Sequence, residues 1–370
     1  TDIYNTERLC LMCRHVCPVG RITRREATTP HGWTGLVAAV QRGLVEWDEE
    51  TVDTLYQCAD CGLCQADHPT DRHIPAAIVA ARAWVVSEGK APGSVMGLDE
   101  HLQNMDLLNS GLPEYVLTET DGSELGLYKS ASIQFERPQI LDAAQSLLHA
   151  AGAETVLIGG GGYGIYLPYT VGLWDRARDL AHQISKEIRG SGVTTVITLT
   201  KEDAHAFRHL FGELDVAFPE KVRVVEFTDW LLSAVEAGKV EVARRQPGKV
   251  AYHDACHTSR LPESAAHARK LLEVATGTPP LELFWHGQKA TPCGAIGGLE
   301  WTQPQLAERM ARARIEEARE AGADTLVTDD PRCAAHLAKY AEEMPVVNLI
   351  ELVAEGVKGL GSRDPGEENR

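Results

Sequence analysis

Hydrophobic and polar positions change rhythm once along the chain. At 35–44, 49–57 and 74–88 apolar side chains recur at helical spacing. The last of these (IPAAIVAARAWVVSE) carries Pro75 in its first turn, where the missing N–H costs nothing. Pro and Gly punctuate a boundary at 90–94 (KAPGS), and the helical part runs to about residue 110. Beyond about 150, short β-branched runs at 155–158, 194–199, 222–227, 250–253, 325–328 and 346–349 take over. Helical stretches at 173–189, 267–276 and 305–321 separate several of them. Such alternation predicts parallel sheets flanked by helices.

The second part also repeats itself. Gly192-Val-Thr-Thr-Val-Ile-Thr, a helix and Val224-Val-Glu-Phe-Thr-Asp-Trp parallel Gly322-Ala-Asp-Thr-Leu-Val-Thr, a helix and Val346-Val-Asn-Leu-Ile-Glu-Leu. Two similar α/β units are the simplest account. The division expected is 1–110, 111–245 and 246–360, with a polar tail after that.

Composition narrows the class. The 370 residues are 44% hydrophobic and 24% charged, as in an ordinary globular protein. A net charge of −17 with no basic block offers nucleic acid no surface and instead suits docking of a protein partner. No apolar run approaches the roughly 20 residues that span a bilayer, and the first residues lack a signal peptide's apolar core. The expectation is a cytoplasmic chain without a transmembrane segment. Six of nine cysteines lie within the first 64 residues, which in a reducing compartment points to metal or redox chemistry rather than disulfides.

Those six carry the chemistry. Cys58, Cys61 and Cys64 form C-x2-C-x2-C, and Cys10, Cys13, Cys17 and Pro18 form C-x2-C-x3-C-P. Short turns of this kind converge thiolates on one metal cluster, whereas zinc favours paired C-x2-C knuckles. The two runs resemble the halves of a two-cluster ferredoxin, in which each half lends its last cysteine to the other's cluster. The resemblance implies one complete [4Fe–4S] site at Cys17, Cys58, Cys61 and Cys64. The other site would take Cys10, Cys13, position 68 and position 7, which here are His68 and Glu7. Imidazole at a cluster iron raises the potential, and Glu7 either supplies an oxygen ligand or simply faces solvent. The bland alternative is a lost second cluster, with Cys10 and Cys13 as remnants.

Three cysteines remain, in His253-Asp-Ala-Cys256-His257, Thr291-Pro-Cys293-Gly294 and Thr328-Asp-Asp-Pro-Arg-Cys333. These segments resemble the repeat motif shared by the D subunit of heterodisulfide reductase and the iron–sulfur subunit of glycolate oxidase. That motif reads roughly H-D-P-C-H, C-C-G and C-P-x-C, and the resemblance covers nearly the whole chain. It implies an α+β multidomain fold: a helical ferredoxin-like domain, then a degenerate first and a retained second α/β cysteine-rich repeat. Pro292 and Asp330 stand where the motif has cysteine, and in the first repeat GGGGYG (159–164) and TKED (200–203) replace all thiolates. Disulfide reduction is therefore not expected. Cys256, Cys293 and Cys333 remain candidates for a third cluster, with Asp330, His257 or an outside group as fourth ligand; the alternative is residual buried thiols.

The weaker motifs read as scaffold. GGGGYG fits a dinucleotide fingerprint, but Asp179 falls inside a helix rather than at a strand end, which favours a tight strand-to-helix turn. His31 beside Trp33 reads as a turn histidine next to a packed ring. Asp254 and His257 lack a serine or cysteine partner at a telling spacing.

By resemblance the chain is expected to be the iron–sulfur electron-transfer subunit of a larger oxidoreductase. Members of that group take electrons from a flavin-containing subunit and pass them to a quinone, an electron-transfer flavoprotein or another carrier. One relative is the iron–sulfur partner of flavin-dependent amine N-demethylases of the dimethylglycine type. The alternative is a catalytic subunit whose open C-terminal site acts on a thiol or small hydroxy acid.

Overall fold

The computed structural model describes residues 11–68, 72–110, 123–130, 132–159, 164–245, 247–260 and 262–357. Among the described residues, 11–110 hold helices and no strand. Local chemistry sets their ends. Thr29 caps helix Pro30–Gln41 by accepting from the Gly32 N–H at 3.3 Å, with proline at the first helical position. Asp48 and Thr51 form a reciprocal capping box at helix Glu49–Tyr56. Helices Ile74–Ser87 and Gly93–Ser110 follow, with the Pro/Gly punctuation at 90–92 between them.

The rest folds as two four-stranded parallel sheets. The first holds β1 (Leu125–Tyr128), β2 (Val156–Ile158), β3 (Thr195–Thr198) and β4 (Arg223–Glu226) in the order β2-β1-β3-β4. The second holds β5 (Val250–Tyr252), β6 (Leu281–Glu282), β7 (Thr325–Thr328) and β8 (Val346–Asn348) in the order β6-β5-β7-β8. The shared order is the structural form of the sequence repeat. Each sheet has a switch point, between β1 and β3 and between β5 and β7, where chain direction away from the centre reverses and clefts open at the carboxyl ends.

Among the described residues, six of the eight strands match β-branched runs in the sequence; β1 and β6 do not. β1 is Leu-Gly-Leu-Tyr, four residues with no β-branched side chain. A Cβ at Gly126 would lie 2.3 Å from Ile158 Cδ1, so a larger residue there has to displace that side chain. β6 pairs over two residues only, too short for any periodicity.

The three parts share cores. One apolar cluster joins Leu55, Ile78 and Val85 of the N-terminal part to Tyr166 and Val171 of the first repeat and to Ile296 and Leu299 of the second. Another joins Leu127 and Leu231 of the first repeat to Tyr252 and Val353 of the second. A buried ionic seam reinforces the contact between repeats: Lys201 Nζ lies 2.5 Å from Glu226 and 2.7 Å from Asp329. Among the described residues no helix is long and apolar enough to cross a membrane.

Candidate iron–sulfur centres

Four cysteines of the N-terminal part face one another. Cys17 precedes helix Pro18–Thr23 and caps it, its sulfur accepting from the Gly20 N–H at 3.4 Å. Cys58 and Cys61 lie in the loop after helix Glu49–Tyr56, and Cys64 sits in the turn Leu63–Ala66. The left-handed backbone at Asp60 (φ 50°) and Gly62 (φ 71°) folds this loop back on itself. All four cysteines line one cavity, walled by Trp33 and by Pro18, Pro30 and Pro75. Burial pushes the Cys58 thiol up to about 12, and it raises Cys17, Cys61 and Cys64 as well. Four thiols that oppose one another's ionisation in a dry pocket fit a metal centre, whose positive core lets them deprotonate together. The residues present fit a cysteine-ligated cluster.

Both repeats grip the cluster loop. Arg260 of the second repeat donates to Cys61 O at 3.1 Å, and from the N-terminal part itself Arg82 donates to Cys58 O at 2.6 Å. His257 Nε2 lies 2.9 Å from Asp60 O, while Asp60 Oδ2 accepts from Tyr166 and Thr170 at 2.9 and 3.0 Å. Gly297 lets the second repeat approach: its φ is 66°, and a Cβ there would meet Ala59 O at 2.5 Å.

The altered second set is described in part. Cys10 and Glu7 lie outside the described residues. Cys13 is buried in the turn Leu11–Arg14, and it contributes to raising the Cys64 thiol. His68 is half-buried, directly after Asp67, which reaches His15 at 3.9 Å and so brings the two segments side by side.

In the second repeat the structure brings a histidine to two of the three expected cysteines. Cys293 and Cys333 are buried with their sulfurs 3.2 Å apart. The third donor at this point is His253: its ring nitrogen and both sulfurs all lie within 4.8 Å of one another. His253 Nδ1 accepts from Arg314 at 3.2 Å, whereas Nε2 has no hydrogen-bond partner among the described residues. The Cys333 hydrogen bond, aided by His253, holds the Cys293 thiol well below its ordinary range. Cys256 belongs to the core shared with the N-terminal part, and Cys61 and then Cys293 add to burial in raising its thiol. It thus stands between the cluster loop and the Cys293–Cys333 pair.

The fourth-ligand candidates are engaged elsewhere. Asp330 caps helix Pro331–Ala338 by accepting from Cys333 N at 2.9 Å, and its other oxygen accepts from Lys201 N at 3.0 Å. His257 faces Asp60, and its ring lies 4.9 Å from Tyr166 and 4.4 Å from His205. Asp254 takes Arg269 at 2.7 and 2.8 Å. His31 is the second residue of a helix rather than a turn residue. In the first repeat, Lys201 with its carboxylates occupies the stretch that carries thiolates in the retained motif, while 160–163 of the glycine run lie outside the described residues.

Comparison with known proteins places one segment of this arrangement in a known domain. The cysteine-rich domain model named CCG matches residues 250–338, the segment from β5 through Cys333. The B subunit of the fumarate reductase (CoM/CoB) of Methanothermobacter marburgensis is 24% identical over 315 residues. The aligned part is 81% of this chain and 61% of that relative. The D subunit of the dihydromethanophenazine:CoB–CoM heterodisulfide reductase of Methanosarcina barkeri is 22% identical over 332 residues, 84% of this chain and 79% of that protein. The chain carries a cysteine-rich domain at 250–338 and is similar along most of its length to iron–sulfur subunits of oxidoreductases. It spans only 48% of another relative, the probable iron–sulfur-binding oxidoreductase FadF of Bacillus subtilis, at 24% identity over 84% of this chain. A hypothetical protein from Helicobacter pylori shares the fold, with a TM-score of 0.60 at 12% identity over 95% of this chain and 72% of that one.

Set against the motifs read in the sequence, one four-cysteine set is complete, while Pro292 and Asp330 stand at cysteine positions of the C-terminal motif. Sequence reasoning passed over His253, although it heads the His253-Asp-Ala-Cys256-His257 segment, immediately after β5 at a sheet switch point. It also passed over Arg82, whose signal was a lone charge inside an apolar helix.

Proposed function

We propose that this chain is the electron-transfer subunit of an oxidoreductase complex, holding a [4Fe–4S] centre through Cys17, Cys58, Cys61 and Cys64. The observation that carries this reading is the convergence of those four cysteines on one apolar cavity. Such a centre supplies one-electron transfer at a potential set by ligands, hydrogen bonds to sulfur and burial. The chain's own share is the tuning: N–H groups of Gly20 and Asp60 point at Cys17 and Cys58 sulfurs at 3.4 and 3.5 Å.

Two further centres belong to the proposal. Cys10 and Cys13 with His68 and Glu7 would hold the altered ferredoxin-type site. Cys256, Cys293 and Cys333 would hold the third, now with His253 in its donor set. The division into 1–110, 111–245 and 246–360 follows the same reading. A flavin-containing subunit as donor, and a quinone, an electron-transfer flavoprotein or another carrier as acceptor, fit a subunit of this type. A partner flavoprotein of the dimethylglycine N-demethylase type is one form this takes.

Iron and sulfide analysis with EPR on anaerobically purified protein tests the proposal. Three cubane centres require about twelve irons per chain and one requires about four. Cys58→Ser with Cys61→Ser is expected to abolish the N-terminal signal. Full iron retention in that variant overturns the assignment.

A further inference from the structure

Among the described residues two arginines are fully buried, and they are neutralised differently. Arg314 is 1% exposed and pairs with Glu317 at 2.6 Å. Arg82 is 0% exposed, sits within helix Ile74–Ser87, and forms no ion pair among the described residues. Its guanidinium donates only to carbonyls: Thr170 O at 2.9 Å, Gly297 O at 3.1 Å, Leu55 O at 3.3 Å and Cys58 O at 2.6 Å. The Tyr56 ring lies 5.0 Å from Arg82 Cζ, and Arg82 Nε has no hydrogen-bond partner among the described residues.

Carbonyl dipoles and a ring face solvate a cation without cancelling its charge, and an unneutralised buried charge is costly. The anion that would cancel it is indicated by where Arg82 points. It holds the carbonyl of Cys58, the first cysteine of the cluster loop. Cysteine ligands are deprotonated when they bind iron, so a four-cysteine [4Fe–4S] centre is net negative.

We infer that Arg82 is the built-in counter-ion of the Cys17/Cys58/Cys61/Cys64 centre and a positioning residue for electron transfer. This rests on the cluster assignment proposed above. Two consequences follow from the geometry. Reduction adds negative charge to the centre, so a fixed cation beside it in a low-dielectric interior favours the reduced form and raises the potential. The same side chain holds Thr170 of the first repeat and Gly297 of the second, so the presence of the centre is coupled to how firmly both repeats grip the loop.

The test is an EPR-monitored redox titration of the anaerobically purified full chain, comparing Arg82→Met, Arg82→Lys and wild type. Arg82→Met is expected to assemble the centre at a lower midpoint, each tenfold loss in the reduction equilibrium appearing as about 59 mV. Arg82→Lys, which keeps the charge but not the fork, is expected to stay close to wild type. An assembled Arg82→Met centre with an unchanged midpoint overturns the inference. If Arg82→Met does not assemble, the rise in Tm on cluster reconstitution is compared between Arg82→Lys and Arg82→Gln. A smaller rise in the glutamine variant supports the counter-ion, and equal rises overturn it. Full iron retention by Cys58→Ser with Cys61→Ser is a separate result that removes the centre itself.

Discussion

His336 is 2% exposed, yet its environment favours the charged ring. Burial alone would push its pKa below the ordinary 6.5, but the Glu300 carboxylate, 3.0 Å from Nδ1, more than reverses this, and the folded value is raised. The sign of the linkage follows. A raised folded pKa contributes stability that is complete below the unfolded value and is lost as pH rises through the folded value. Melting temperature is therefore expected to fall between about pH 6.5 and the raised folded value, each tenfold gain in proton affinity on folding being worth about 1.4 kcal/mol. In His336→Gln that slope disappears; thermal melts across the window, with the same slope in both proteins, would refute it. Gly297 gives a second residue-scale expectation. Alanine there must adopt φ 66° and place its Cβ 2.5 Å from Ala59 O, directly behind the cluster loop. The strain alone is on the order of 1–3 kcal/mol. Gly297→Ala is expected to lower both the melting temperature and the iron retained after purification, and unchanged iron content would show that the loop tolerates the displacement.

Elements were legible to different degrees, and the reasons are physical. The helix read at 74–88 is observed as Ile74–Ser87, and the strand read at 325–328 matches Thr325–Thr328, because periodicity and β-branching report directly on burial. β1 escaped notice because Leu-Gly-Leu-Tyr has no β-branched side chain, and its strand conformation comes from pairing with β2 and β3 rather than from propensity. At the centres, the C-x2-C-x2-C spacing revealed which thiols share a turn. It could not reveal that His253 joins Cys293 and Cys333, since that depends on how the β5 and β7 loops meet across a sheet. Helix Lys201–His205 shows what the first repeat gained in place of thiolates. Lys201 is buried between Glu226 and Asp329, one from its own repeat and one from the other. Lys201→Met would leave Asp329 buried without its ammonium partner, while Glu226 keeps Arg208 at 2.6 Å. The expected loss is about 3–5 kcal/mol, as for other broken buried pairs. Denaturant melts measure it, and a loss under about 1 kcal/mol would mean the pair is close to neutral in net effect.

At the scale of the whole molecule, the shared cores decide how the chain comes apart. A chain of 370 residues with three expected domains would ordinarily unfold in stages, each domain with its own core. Here the cluster loop is enclosed by all three parts. Tyr56 donates to Val171 O at 2.9 Å, Arg82 reaches Thr170 and Gly297, and the apolar cluster around Leu55 and Ile78 continues into Tyr166 and Leu299. Gly172 permits this contact from the first repeat, since a Cβ there would lie 2.6 Å from the backbone of Arg82. Loosening either repeat therefore opens the wall around Cys58 and Cys61, and losing the centre removes the contacts that fix the loop. Bleaching of the visible cluster absorbance and loss of far-ultraviolet circular dichroism are expected to coincide during anaerobic thermal unfolding. Gly172→Ala should shift both transitions down together. Cluster loss well before the helical signal would instead mean that the N-terminal part opens by itself, with the repeats acting as a separate scaffold. Coincident transitions would show that the centre and the docking of the two repeats form one cooperative whole.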